Sequence, residues 1–367
     1  MLIQNSSVEQ IVTKIASLIS SPQMGVMLLV GEGSSFDIDK LIILLDGKNI
    51  NFFGAIFPKV LFDNESYEDG IVAMPLLFVD APQIIRGLNG GEISIASKDV
   101  LGNEDVSYIT FVDGLSAQIS KYLVTLYNEI GSGCHVIGGG AGSLSFVQKP
   151  CIFTHEGFFQ DVAVLVAVKN KCKFGIAHGW NALKGPFVAT KTNKNIIEEL
   201  NWENAFEVYR NAVKDDVGEL IPIERFSEFA GSYPFGMHKD GMEKTVRDPI
   251  ATTDLGGLIC VGEVPENTVL HILKGEERSL IEAAQKATSD ALSEENSRIK
   301  NILVIDCISR TLFLKEAYKK ELNVIKKELG NQPIGINGAL SIGEIASLGE
   351  GYLEFYNKTI VVGAFYE

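Results

Sequence analysis

Apolar runs of strand length recur along the chain: GVMLLVG at 25–31, VAVLVAV at 162–168 and NILVID at 301–306. Each is far shorter than the roughly 20 apolar residues a membrane helix needs. A strand that is apolar at nearly every position must be covered on both faces, so these runs predict buried sheets. The covering elements are also legible. Val8, Ile11, Val12, Ile15, Leu18 and Ile19 form one stripe of a helix over 8–19. Leu115, Ile119, Tyr122, Leu126 and Ile130 do the same over 115–130. Further helices are predicted over 203–213, over 278–297 (Leu280, Ala284, Ala287, Ala291) and over 315–329 (Tyr318, Leu322, Ile325, Leu329 inward, lysines outward). The expected class is α/β, with two mixed α/β domains whose largely buried sheets are flanked by helices.

Between helices, residues 50–79 read as two or three strands and 151–168 as a hairpin turning at Glu156-Gly157. The second half alternates again and ends in strands at ALSIGEIA, YLEFY and TIVVGAFY. Residues 214–242 carry glycines, two prolines and weak periodicity, which suits a linker. The predicted domains are therefore 1–216 and 217–367.

A formal net charge of -15, spread without an acidic tail, argues against nucleic acid or an anionic membrane surface as partner. The first residues lack a cationic region followed by an apolar block, so no secretory signal is expected. Five cysteines, at 134, 151, 172, 260 and 307, make no C-x-x-C pair and suit reduced thiols. A cytoplasmic location is expected, and Asn357-Lys358-Thr359 reads as a turn rather than a glycosylation site. His135, His155, His178, His238 and His271 are scattered without zinc-site spacing. Haem needs as little as one axial ligand, so spacing does not exclude it.

Two stretches carry candidate chemistry. The first is HVIGGGAGSLSF at 135–146. A dinucleotide loop needs strand, glycines and then a helix whose amides hold the pyrophosphate. Here Pro150 and β-branched and aromatic residues follow, and no Walker lysine does. The glycines then either admit another backbone or line a pocket for a different ligand.

The second is NILVIDCISR with ALSIGEIA. Asp306, Cys307 and Arg310 fall at the carboxyl end of a buried strand, where open α/β sheets bind ligands. Strand alternation puts Glu344 on the face of Leu340, Ile342 and Ala346, where a carboxylate needs a partner; Arg310 is the candidate, although Gly343 could reverse the parity with a bulge. Such a pair would receive the carboxylate and ammonium of an amino acid, or simply hold two strands together. Cys307 is either a small buried hydrophobe or the nucleophile of a cysteine-dependent hydrolase.

Taken together, these segments resemble the FIST family (F-box and intracellular signal transduction proteins). FFGAIFPKVLF, VIGGGAGSLSF and AHGWNALKGPFVATKT are similar to its N-terminal domain, placed over 1–216. VRDPIATTDLGGLICVGEVPENTVLHIL, DCISR, GALSIGEIA and YLEFYNKT are similar to its C-terminal domain, placed over 217–367. The resemblance implies a non-enzymatic sensory protein that binds a small ligand, an amino acid or related metabolite, in a cleft. It implies a separate output protein, a histidine kinase or cyclic-dinucleotide signalling enzyme. Haem-dependent nitric oxide sensing is the alternative, with haem as cofactor. By position, the implied ligand-binding residues are Cys307, Arg310, Gly343, Glu344, Asn357, Thr359 and Arg247, with Gly139, Gly140 and Gly142 from the first half. If those glycines line a cleft, Gly140→Val should weaken ligand binding and leave the fold cooperative.

Overall fold

A computed structural model describes residues 1–96, 106–133, 135–169, 172–238, 245–293, 298–330, 332, 334–348 and 353–366. Cys134, residues 239–242 of the expected linker and residues 294–297 of an expected helix lie outside this set.

The doubly buried strands predicted from the apolar runs are present. Met24–Gly31 lies parallel to Asn51–Phe57 in a first six-stranded sheet, whose outer face is covered by helices Val8–Ala16 and Ile38–Asp46. Ser7 starts the first of these helices with a reciprocal capping box to Gln10. The 50–79 stretch resolves into more strands than expected: Asn51–Phe57, Lys59–Phe62, Glu65–Tyr67 and Ile71–Leu77.

In a second six-stranded sheet, His135–Ala141 runs parallel to Ser107–Asp113 and antiparallel to Glu344–Leu348. Helix Ile119–Ile130 covers its far side. That helix starts later than the predicted 115, because Asp113 Oδ1 accepts from Leu115 N at 3.1 Å and holds the entry in a turn. A third six-stranded sheet centres on Ile299–Cys307, parallel to Ile336–Ser341, and is covered by helices Glu277–Ala291 and Tyr318–Glu328. The inner faces of the three sheets share one core that includes Met27, Phe53, Phe111, Ile137, Ile305 and Val361.

Second and third sheets draw strands from both ends of the chain. Glu344–Leu348 and Glu354–Tyr356 join the second; Lys59–Phe62, Glu65–Tyr67 and Cys172–Ala177 join the third. A fourth sheet behaves differently. Asn181–Asn193, Val269–Lys274, Phe235–Met237, Thr245–Thr252, Leu258–Val261 and Ile196–Leu200 follow one another, and the last pairs back with the first, closing a barrel. Helix Ala205–Val217, capped by Asn204, packs on this barrel's core. The expected linker at 214–242 is thus largely built into the barrel. It holds the end of that helix, a short helix Phe226–Ala230 and strand Phe235–Met237. Gly218, at φ +88°, caps the helix and Pro222 precedes a short 3-10 turn, while Gly236 lies inside the strand.

Candidate functional site

The glycine run meets protein backbone. Gly140 N donates to Gly343 O at 2.7 Å, and Ile342 N donates to Gly140 O at 2.8 Å. A Cβ on Gly140 would collide with Ile342 O, one on Gly138 with Thr110 O, and one on Gly139 would lie 3.0 Å from Gly343 O. Gly142, at φ +140°, sits in a conformation that favours glycine. Of the two readings of the glycines, close backbone approach describes Gly138, Gly139 and Gly140. The expectation that Gly140→Val spares the fold is overturned by the same contact.

The chain changes sheet at this point. Gly343 has φ +93° and separates Ile336–Ser341, in the third sheet, from Glu344–Leu348, in the second. Alternation across the break therefore has no meaning, although Glu344 is fully buried. Glu344 accepts from Ser341 Oγ at 2.7 Å and from Thr359 N at 3.2 Å. Burial pushes its carboxyl up to about 8, against the pull of those hydrogen bonds and one with Cys307.

Arg310 does not serve as the hydrogen-bonding partner of Glu344. It is 0% exposed on helix Ile308–Leu314 and is saturated by other groups. Nε donates to Glu321 Oε1 at 3.1 Å and lies 3.1 Å from Asp306 Oδ1, off the hydrogen-bonding direction. Nη1 donates to His178 O and Lys358 O, and Nη2 to Leu280 O and Glu321 Oε2 at 2.9 Å. Burial alone works against its charge, but Glu321 and Asp306 hold it firmly protonated. A guanidinium whose donors are spent in this way has none to offer a ligand. The predicted Arg310/Glu344 receptor for an amino acid is replaced by a structural node.

Cys307, Asn357 and Thr359 belong to that node. Cys307 N donates to Thr359 O, its thiol lies 3.0 Å from Ser309 Oγ, and burial pushes the thiol up, away from thiolate. Asn357 is held by Nδ2 to Tyr356 O at 3.0 Å, while its buried Oδ1 has no hydrogen-bond partner among the described residues. Lys358 reaches Asp248 at 3.1 Å beneath the Trp180 ring. Sequence reasoning missed Glu321, Asp248 and Lys358. Glu321 had a readable signal: it falls on the buried stripe of its helix between Tyr318 and Leu322, where an acid demands a partner.

Arg247 stands apart from the glycine run and from Arg310, although its chain neighbour Asp248 pairs with Lys358. It sits on barrel strand Thr245–Thr252 and is 5% exposed. Nε donates to Glu263 O at 2.8 Å, and Nη1 to Val246 O and Phe355 O at 3.0 and 3.1 Å. Nη2 has no acceptor among the described residues. Arg247 lines a cleft of about 730 Å³ between helix Ile119–Ile130 and the second half of the chain. Leu123, Val124 and Tyr127 form one wall; His238, Glu263, Glu354 and Phe355 belong to the other. Burial works against the Arg247 charge, and Glu354 is the strongest group favouring it. Another cavity, of about 550 Å³ near Ser7 and Asp37, offers one lining lysine, Lys40, which already pairs with Glu9 at 2.6 Å.

A model of the FIST N domain matches residues 49–203, and one of the FIST C domain matches residues 205–347. The chain belongs to the FIST family. FIST domains are associated with small-ligand sensing in signal transduction. The junction of the two matches falls at the start of the helix that packs on the barrel, Ala205–Val217. The Arg247 cleft has helix Ile119–Ile130 from the first match on one side and Arg247 from the second on the other. No curated protein matches the chain. No helix of the described residues is long and apolar enough to cross a membrane.

Proposed function

We propose that this FIST protein senses a small carboxylate, an amino acid or a close relative, held in the Arg247 cleft, and passes the signal to a separate output protein. The observation that carries the reading is the Arg247 guanidinium: nearly buried, fixed by three hydrogen bonds, with Nη2 left for a guest. A guanidinium in that state favours a carboxylate, because charge-assisted bonds are strong where water is scarce. Glu263 supplies negative charge in the same cleft, as the ammonium of an amino acid requires, and Leu123, Val124 and Phe355 supply apolar surface. Its volume falls within the range of about 300–1,000 Å³ common for small-molecule sites. Helix and barrel wall come from different matched domains, so a guest touching both would bias their relative position. A histidine kinase or cyclic-dinucleotide enzyme is the class of output partner proposed.

A thermal-shift screen of amino acids and simpler carboxylates tests this. Stabilisation by at least one compound at millimolar concentration is expected, since a ligand of the folded state must raise its stability. Val124→Trp, at an exposed cleft position, should abolish the shift while leaving the unliganded melting point unchanged. An equal shift in the variant would place the ligand elsewhere.

The haem reading draws on one observation: of the five histidines, His238 lines this cleft. Were haem the guest, loading it would give a Soret band that shifts or vanishes in His238→Ala. A Cys307-dependent hydrolase finds no such support, because burial keeps that thiol from ionising.

A further inference from the structure

The barrel displays two large apolar side chains to water. Trp202 is 79% exposed and Leu255 is 88% exposed. Both stand on rigid turns. Asn201 and Trp202 have φ +51° and +64°, the left-handed pair of a tight hairpin turn between Ile196–Leu200 and Glu203–Asn204. Glycine or asparagine suits such positions, and a tryptophan there is a conformational liability that must be held. It is held: Trp202 N donates to Thr190 Oγ1 at 2.8 Å, and Asn201 is fixed to Val188 through both N–H and side chain. Leu255 tops a second turn closed by Gly256 N to Thr253 O at 2.9 Å. Asn204 ties the turns together, donating from Nδ2 to Leu255 O at 2.7 Å while its Oδ1 caps the following helix.

Leu255 and Asn204 line two adjoining grooves, of about 550 and 570 Å³, with Trp202 in the first. The charge around them is one-sided. Glu198, Glu199, Glu207, Glu224 and Asp254 line the grooves against two cations, Lys191 and Arg210. Those cations are engaged by Glu198 at 2.8 Å and Glu207 at 2.6 Å, which leaves Glu199, Glu224 and Asp254 without an ion pair of their own among the described residues. Exposed aromatic and aliphatic anchors inside a polar rim are the anatomy of a protein interface.

We propose that the Trp202–Leu255 face docks a basic segment of a partner protein that carries bulky apolar residues between its lysines or arginines. The unpaired carboxylates select the positive charge, and the two anchors and their grooves take the apolar side chains. A second copy of this chain is the poorer occupant, because a net charge of -15 would set like charges face to face. This surface is independent of the Arg247 cleft, and its test needs no cleft ligand.

The chain has two tryptophans, buried Trp180 and exposed Trp202, so fluorescence reports docking directly. The probe is a short synthetic amphipathic peptide of leucine and lysine, with a lysine–serine peptide of equal charge as control. The leucine–lysine peptide should blue-shift the emission and reduce acrylamide quenching. Binding should weaken about tenfold or more in Leu255→Ser, and the spectral change should vanish in Trp202→Phe. Both sites are exposed, so melting temperature and circular dichroism should match the parent. Equal binding of the lysine–serine peptide, parent-like binding by Leu255→Ser, or a spectral change that persists in Trp202→Phe would overturn the proposal. Sedimentation showing self-association that buries Trp202 without peptide would overturn it in favour of a second copy.

Discussion

Glu344 makes the buried node sensitive to pH. Its carboxyl is ordinarily near 4.5 and is raised to about 8 by burial. Between those values the folded protein keeps a proton that the unfolded chain has released, so stability falls as pH rises through this window and levels off above it. A full proton of difference corresponds to about 1.4 kcal/mol per pH unit. Asp306 and Asp248 are also raised, chiefly by burial, and act in the same direction. Glu344→Gln should flatten the decline of melting temperature from pH 5.5 to 8; an unchanged slope would contradict the assignment. Arg310 tests the node from the other side. Arg310→Met strands Asp306 and Glu321 in the core and should cost about 3–5 kcal/mol in urea denaturation. Arg310→Lys, which keeps the charge but loses the planar fork, should fall between variant and parent. Residue types that demand partners were readable here, but not their pairings. Arg310 and Glu344 were recognised as groups needing company, and each found it elsewhere, because the partners Glu321 and Thr359 are fixed by three-dimensional packing.

The glycine strand shows what an element can reveal on its own. His135–Ala141 was legible as a strand, and its lack of a following helix ruled out a nucleotide loop. Which backbone came close was not legible, since that depends on the turn at Gly343 handing the chain from one sheet to another. Gly140→Ala should cost about 1–3 kcal/mol or more, because the obstacle is Ile342 backbone rather than a mobile side chain. Gly231→Ala is the matched control: its φ is -57° and a Cβ there meets nothing within 4 Å. It should be neutral or slightly stabilising in the same assay. Helices were read well where an apolar stripe was continuous. They were misread at their ends, where side-chain hydrogen bonds such as Asp113 to Leu115 decide the boundary.

At the scale of the molecule, buried sheets with flanking helices follow from the uninterrupted apolar runs, and that much the residues dictate. The barrel could not be read in advance, because closure rests on Asn181–Asn193 pairing with Ile196–Leu200 through bulges that blur strand alternation. The Arg247 cleft was equally hidden, since its two walls are brought together by tertiary packing alone. In the proposed reading its position links it to the node: Phe355 binds Arg247 at the cleft, and Thr359, a short step along the chain, binds Glu344. A guest that shifts Arg247 therefore pulls on the segment that ties both sheets together. A ligand at one hundred times its Kd would stabilise the fold by about 2.7 kcal/mol. The decisive measurement is a crystal structure of the protein with whichever carboxylate stabilises it. Density should fill the space between helix Ile119–Ile130 and Arg247, with a ligand oxygen about 2.7–2.9 Å from Nη2. Density at a different site, with the cleft left open, would contradict the account.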